Sequence, residues 1–212
     1  MRSVAQRLVS VHTGKYVVVG GNHLGRAVFA ARPFHAGAVI MRFGGLAVRG
    51  AKVPHDYAGT ADRFMQVDHD FYLGPSGGVD DYVNHSCDPN AGVKFADYAI
   101  ILVALRPIAK GEEISWDYST TMHDNKWLMK CECRAPACRA LVGEFASLPE
   151  ARRAYYLSAG VVAPYIVRAL EGRQDRAAEP GRPTIPRSGL ADLHRRVQDF
   201  VQELAGNRPA AR

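Results

Sequence analysis

Short apolar runs punctuated by glycine and proline dominate the first two thirds of the chain, and their length and composition favour strands. They lie at residues 4–19, which alternate loosely and end in the run 17–19, and at 27–30, 38–43, 93–95 and 99–105. The runs at 64–68 and 71–73 have the spacing of a hairpin that ends in the turn-forming residues 75–78. Residues 46–62 show no clear pattern, and helical periodicity is almost absent before residue 145. The pattern predicts a mostly β domain.

The pattern becomes helical after this point. Ser147-Leu148-Pro149-Glu150 has the arrangement of a capping box with proline in the first turn, which predicts a helix ending near Gly160. A second helix is predicted over residues 161–171. Residues 173–189 contain three prolines and are expected to form an exposed linker. A last helix is predicted over residues 190–204, whose apolar stripe would dock on the β domain or form a homodimer contact.

Composition narrows the class of protein without identifying it. The 212 residues are 47% hydrophobic and 23% charged, as in an ordinary globular domain. A run of ~18 apolar residues that could span a bilayer is missing, and the N-terminus lacks the order of a signal peptide. The net charge of +6 is spread along the chain. We therefore expect an intracellular, by default cytoplasmic, protein without membrane association or direct nucleic-acid binding, with export to a host cell or delivery to a nucleus left open.

Two stretches carry most of the chain's candidate chemistry. Asn84-His85-Ser86-Cys87-Asp88-Pro89-Asn90 combines an amide, an imidazole and a thiol within four residues, followed by a proline that fixes the exit. Gly111-Glu112-Glu113-Ile114-Ser115-Trp116-Asp117-Tyr118 follows about one hairpin downstream. Stretches of this kind place polar groups at a site and do not fill a core.

The four cysteines of the chain predict one metal site. Cys131, Cys133 and Cys138 lie within eight residues, a spacing too tight for two ordinary disulfides. Structural disulfides are also rare in a reducing compartment. A closed tetrahedral zinc site needs four thiolates, so Cys87 would have to complete the set.

Together these stretches resemble the SET-domain protein-lysine methyltransferases and their post-SET segment. The matching residues are Gly25–Ala30, Asn84–Asn90, Gly111–Tyr118 and the three clustered cysteines. The resemblance implies a SET domain over residues 1–120, a post-SET zinc segment over 121–143 and a helical extension over 144–212. It further implies small twisted β-sheets around a pseudoknot-like crossing. S-adenosylmethionine and a lysine-bearing protein or peptide would enter a narrow channel from opposite faces.

The resemblance also implies roles for single residues. Tyr118 would be the catalytic hydroxyl at the channel mouth and would also contact the cofactor, while Glu113 and Asp117 would brace the site. The other cofactor-binding residues would be Gly25, Arg26, Ala27, Asn84 and His85. The substrate channel would be lined by Tyr72, Tyr82, Trp116 and Leu141. One structural Zn²⁺ would be held by Cys87, Cys131, Cys133 and Cys138.

Some positions depart from the family's pattern. Trp116 stands where the family usually has Phe or Tyr, a ring that influences how many methyl groups are added. Asp81 stands where the family commonly has Arg. With Asp68, Asp70 and Asp80 it would form either an acidic rim for a basic peptide or the solvated face of a hairpin.

Three functions remain open at this point. The first is methylation of lysine in a protein, such as a histone or another basic protein. The second is a catalytically silent, zinc-stapled SET module that binds a peptide or partner protein through its C-terminal helices. The third, methylation of another amine, ranks last because the family's narrow channel suits lysine-like stems. Retention of Tyr118, Asn84, His85 and all four cysteines favours the first function.

Overall fold

A computed structural model of the protein describes residues 16–50, 53, 63–96, 99–123 and 127–172. Within these ranges, twelve short strands form four small sheets and are followed by two helices. The strands are β1 (Val17–Asn22), β2 (Gly25–Ala30), β3 (Val39–Arg42), β4 (Ala47–Arg49), β5 (Met65–Asp68), β6 (Phe71–Leu73), β7 (Asn84–His85), β8 (Ala91–Ala96), β9 (Ala99–Ala104), β10 (Glu113–Trp116), β11 (Met129–Lys130) and β12 (Leu141–Val142).

The first sheet joins the two polar stretches. Its strand order is β1-β2-β10-β7, with antiparallel pairing of β2 to both β1 and β10. The last pair, β10 and β7, is parallel and sets Ser115 opposite Asn84 and Trp116 opposite His85. Because these residues are direct neighbours across the sheet, segments that are far apart in sequence build one site.

The other three sheets frame this one. Their strand orders are β3-β9-β8, β4-β6-β5 and β11-β12, and all pairs are antiparallel. The main core includes Val28 of β2, Leu102 of β9 and Ile114 of β10, each with no exposed surface. Burial of such side chains is the chief force that holds short strands together.

The second helix is shorter than the sequence predicts, and the predicted capping box is wrong. Helix α1 spans Glu150–Ala159 with Pro149 as its N-cap, while the Ser147 hydroxyl donates to the carbonyl of Glu144 in a preceding 3-10 turn. The predicted end is confirmed, because Gly160 adopts a φ of 64°, which suits glycine after a helix. Helix α2 spans Pro164–Leu170 and begins with a proline at its first turn.

The helical segment shares a core with sheet β3-β9-β8. Val161 lies against Gly92 of β8 so closely that a methyl group on Gly92 would meet the Val161 Cγ1 at 2.7 Å. The buried residues of this second core are Val103, Phe145, Leu148, Tyr156, Val161, Val162, Ala163, Tyr165 and Ile166. Residues 145–172 therefore form an integral part of the folded unit.

The predicted strands are present within the described residues, and residues 4–15 of the first one lie outside them. Strands β4, β7, β10, β11 and β12 were not predicted as strands. Strand β4 has three residues and pairs only with β6, so its conformation depends on pairing more than on local sequence. The predicted linker at 173–189 and helix at 190–204 lie outside the described residues. Among the helices that the structure does describe, none is long and apolar enough to cross a membrane.

Candidate active site

Tyr118 lies two residues after the end of β10, at the start of a 3-10 turn over Tyr118–Thr120. Its hydroxyl donates to the carbonyl of Val83 at 2.8 Å, and its backbone N–H donates to Nδ1 of His85 at 3.2 Å. The ring packs against Trp116 and His85, with centroid distances of 4.8 and 5.3 Å. Contacts at the backbone, the ring and the hydroxyl thus fix the orientation of this side chain.

One face of the Tyr118 ring borders a narrow pocket of about 60 Å³, here called the aromatic pocket. Its aromatic lining residues are Phe43, Phe64, Trp116, Tyr118 and Trp127. Trp127 is 7% exposed, and its ring lies 6.4 Å from that of Tyr118. Sequence reasoning missed Phe43, Phe64 and Trp127 because they belong to no polar motif, although Phe43 and Phe64 border predicted strands.

A second pocket, the glycine pocket, lies at the β1–β2 hairpin. Its lining residues are Val19, Gly20, Gly21, Gly25, Arg26 and Tyr82. Gly25 has a φ of 106°, a conformation that favours glycine. Arg26 donates from Nη1 to the Tyr82 hydroxyl at 2.6 Å. Because Tyr82 lines this pocket and the next residue, Val83, lines the aromatic pocket, the two pockets flank the same stretch of chain.

Asn84 ties the glycine-rich hairpin to the second polar stretch. Its Nδ2 donates to the carbonyl of Arg26 at 3.1 Å and to Oε1 of Glu113 at 3.3 Å. The same Glu113 oxygen accepts from Asn22 at 2.7 Å. Asn84 and Glu113 therefore hold the backbone of the glycine pocket at a fixed position relative to β10.

His85 is buried and neutral. Its Nδ1 accepts the Tyr118 N–H, so its proton resides on Nε2, which lies 3.3 Å from the Cys87 sulfur. Burial lowers the pKa of His85 to about 4, and it outweighs the opposing effect of Asp117. The 3.6 Å separation between Nδ1 and the Asp117 carboxylate is consequently no ion pair at neutral pH.

Asp117 is a buried carboxylate with three donors. It accepts from Arg139 Nη2 at 2.7 Å, from the Tyr156 hydroxyl at 3.1 Å and from the Ser119 N–H at 3.1 Å. Burial, reinforced by the charge of Asp117, raises the pKa of Tyr156, so its hydroxyl stays protonated as a donor. A fully buried charge requires such partners.

The four cysteines meet at one point beside His85. The sulfur atoms of Cys87, Cys131, Cys133 and Cys138 all lie within 4.8 Å of one another, and Cys87 and Cys131 are 3.7 Å apart. A tetrahedral zinc site with ~2.3 Å bonds places its sulfurs about 3.8 Å apart. The backbone N–H of Arg139 points at the Cys87 sulfur at 3.4 Å. Burial raises the pKa of Cys87 and Cys131, so a bound cation would be needed to keep them as thiolates. The set therefore fits a structural zinc ion.

Of the four residues predicted to line the substrate channel, Trp116 lines the aromatic pocket and Tyr82 lines the glycine pocket. Tyr72 is buried beside Val53, Trp127 and the cysteines and is absent from the lining of the aromatic pocket. Leu141 is 57% exposed on β12 and does not line that pocket either. Ala27 has no exposed surface and lines neither pocket.

Two carboxylates of the predicted acidic rim, Asp80 and Asp81, line the aromatic pocket. Asp80 is 7% exposed and accepts from the Ser76 hydroxyl at 2.7 Å and the Gly44 N–H at 2.8 Å. Asp81 accepts the N–H groups of Ser76 and Gly77, both at 2.8 Å. These carboxylates stabilise the loop that follows β6.

The arrangement corresponds to a known class of domain. Residues 25–119 match the family model described as SET domain, so this part of the chain is a SET domain. The match includes both polar stretches and strand β2 of the glycine-rich hairpin. It ends before the three clustered cysteines and both helices.

Several known proteins are similar to this chain. Histone-lysine N-methyltransferase trithorax of Drosophila virilis is 29% identical over 136 residues, which cover 58% of this chain and 4% of that protein. Histone-lysine N-methyltransferase trr of Drosophila melanogaster is 43% identical over 68 residues, which cover 30% of this chain and 3% of that protein. Human histone-lysine N-methyltransferase 2B is 28% identical over 127 residues, which cover 54% of this chain and 5% of that protein. The chain thus spans 3–5% of the length of these relatives.

Solved structures give a weaker likeness. The crystal structure of KRYPTONITE in complex with mCHH DNA, H3(1-15) peptide and SAH has 23% sequence identity and a TM-score of 0.48. The alignment covers 60% of this chain and 29% of that one.

Proposed function

We propose that this protein transfers a methyl group from S-adenosylmethionine to the side-chain amine of lysine in a protein. The observation that carries the proposal is the position of Tyr118 on the wall of the aromatic pocket. Its hydroxyl donates to the carbonyl of Val83, and the residue before Val83, Tyr82, lines the glycine pocket. A lysine in one pocket and a methyl donor in the other would meet beside this hydroxyl.

The aromatic pocket suits the chemistry of lysine. Methyl transfer forms an N–C bond and breaks a C–S bond, so the amine must first lose its proton. A free lysine with a pKa of ~10.4 is protonated at neutral pH, and removal of its proton costs about 4–5 kcal/mol. Aromatic walls remove water from the amine and so favour its neutral form. The Tyr118 oxygen could accept a hydrogen bond from the amine and direct its lone pair.

The glycine pocket suits a methyl donor. When bound, S-adenosylmethionine would supply an electrophilic methyl group on a sulfonium. The backbone around Gly25 and Arg26 allows close approach, since Gly25 has no side chain. Asn84 would hold that backbone in place, and the neutral His85 would fix the Tyr118 backbone.

We further propose that the four cysteines hold one zinc ion with a structural role. Cys87 belongs to the first polar stretch, and the other three belong to the segment around β11 and β12. Bound zinc would therefore tie the second segment to the active site, and its binding energy would order both. In this view residues 1–120 form the catalytic part, 121–143 the zinc segment and 144–212 the helical extension.

The protein substrate is proposed to be a histone or another basic protein. The support is the names of the three relatives described above, all histone-lysine N-methyltransferases, of which this chain matches a small part.

The test is transfer of tritiated methyl from S-adenosylmethionine to a panel of core histones and other basic proteins, together with calorimetric titration of the cofactor. The expected result is cofactor binding with label on lysine, identified by mass spectrometry of the labelled protein. Label on another amine would contradict the lysine assignment. A folded protein that neither binds the cofactor nor transfers label would instead be the silent module.

A further inference from the structure

Tyr156 connects the helical segment to the active site. It lies on α1, outside the residues that match the SET domain, and is 1% exposed. Its hydroxyl donates to Oδ2 of Asp117 at 3.1 Å. Asp117 is the residue directly before Tyr118, so a helix 30 and more residues downstream contacts the neighbour of the proposed catalytic residue.

The two oxygens of Asp117 have different partners. Oδ1 accepts from Arg139 and from the N–H of Ser119, whereas Oδ2 accepts from Tyr156. The Ser119 contact caps the 3-10 turn that begins at Tyr118. The Tyr156 contact therefore fixes the rotation of a carboxylate that in turn fixes this turn.

The backbone on the far side of Tyr118 is also held by downstream residues. The Ser119 hydroxyl donates to the carbonyl of Gly143 at 2.7 Å, and the N–H of Ala163 donates to the carbonyl of Thr120 at 2.9 Å. These anchors remain when the Tyr156 hydroxyl is removed. Loss of that hydroxyl should consequently loosen the Asp117 end of the turn without unfolding it.

We propose that Tyr156 is a positioning residue for methyl transfer, which acts through Asp117 to hold the Tyr118 hydroxyl in place. The proposal rests on the proposed function of Tyr118. It assigns to α1 a part in the reaction in addition to its packing. The aromatic ring of Tyr156 supplies the packing, and its hydroxyl supplies the positioning.

The experiment compares Tyr156→Phe with Tyr155→Phe. Both remove one hydroxyl from the same helix and keep the ring, but Tyr155 is 44% exposed and serves as the matched control. Two quantities are measured: kcat for tritiated methyl transfer to core histones at saturating cofactor, and amide hydrogen exchange of residues 116–122. For Tyr156→Phe we expect about tenfold lower kcat and faster exchange in 116–122, with exchange in α1 unchanged. Tyr155→Phe should match the wild type in both.

The two measurements separate this proposal from the proposed function. If the wild type transfers label and Tyr156→Phe keeps its kcat per folded molecule, the positioning role is overturned. If Tyr156→Phe speeds exchange throughout the protein and lowers only the melting temperature, the hydroxyl is merely structural and the proposal again fails. If the wild type methylates no histone, the exchange data decide. Faster exchange of Tyr156→Phe confined to residues 116–122 supports a positioning role for the contact between Tyr156 and Asp117, and unchanged exchange overturns it.

Discussion

The ring at position 116 determines how much space lies beside the Tyr118 hydroxyl. Trp116 packs 4.8 Å from Tyr118 and edge-on against Phe43 at 6.1 Å, within a pocket of about 60 Å³. A lysine that already carries methyl groups needs more room than an unmodified one. Trp116 is therefore expected to limit how many methyl groups are added.

Trp116→Phe should shift the products towards higher methylation states, because a smaller ring enlarges the aromatic pocket. The measurement is mass spectrometry of the labelled substrate at equal extents of reaction. Trp127→Phe is the matched control, since Trp127 lines the same pocket at 6.4 Å from Tyr118. A shift as large in Trp127→Phe, or none in Trp116→Phe, would contradict this role.

At the residue scale, the sequence predicted the polar groups better than the apolar ones. Asn84, His85 and Tyr118 were predicted because amide, imidazole and hydroxyl groups cluster in short motifs. Tyr72 and Leu141, which were predicted to line the channel, do not line the aromatic pocket, because their positions depend on where β6 and β12 lie relative to it. No motif surrounds Tyr156, so only the fold reveals its contact with Asp117.

At the scale of elements, the close contact between β8 and the segment before α2 requires a glycine at position 92. A Cβ on Gly92 would lie 2.9 Å from the Cβ and 2.7 Å from the Cγ1 of Val161. Gly92 has no positive φ, so the penalty of a substitution is one of space and not of backbone strain.

Gly92→Ala should lower the free energy of unfolding by about 1–3 kcal/mol, because overpacking forces the helical segment away from the sheet. Urea unfolding followed by circular dichroism measures this change. Gly21→Ala is the control for stability, since the nearest atom to its new methyl group lies at 3.9 Å and the change should stay within about 0.5 kcal/mol. Equal stability of both variants would disprove the tight contact.

The β11–β12 hairpin has two-residue strands and should depend on zinc for its order. Removal of zinc with a chelator is expected to increase hydrogen exchange over residues 129–142 and to weaken cofactor binding in calorimetry. Elemental analysis should find one zinc per chain before removal, and added zinc should restore both properties. A metal-free protein with unchanged exchange and cofactor affinity would rule out the structural role.

Local pattern sufficed to predict strands with long apolar runs, such as β2 and β9. It failed at β4, whose three residues are held by pairing with β6. It also failed at the start of α1, because the Ser147 hydroxyl donates to the carbonyl of Glu144 and Pro149 is the N-cap of the helix. Such competition between local contacts is not visible in the sequence.

At the scale of the whole described unit, the helical segment and the SET domain share one core and one network of hydrogen bonds. The second core joins residues of β9 with residues 145–166, and Asp117 receives donors from Arg139 and Tyr156. The sequence predicted helices in this region but not their place in the core, because an apolar stripe does not specify its partner.

The central claim is that the Tyr118 hydroxyl carries methyl transfer to lysine. The most direct measurement is the initial rate of tritiated methyl transfer to core histones by Tyr118→Phe, compared with Tyr155→Phe and the wild type. The account predicts a loss of at least about a hundredfold for Tyr118→Phe, with cofactor binding retained and Tyr155→Phe unaffected. Equal rates for Tyr118→Phe and Tyr155→Phe in an active wild-type background would contradict it.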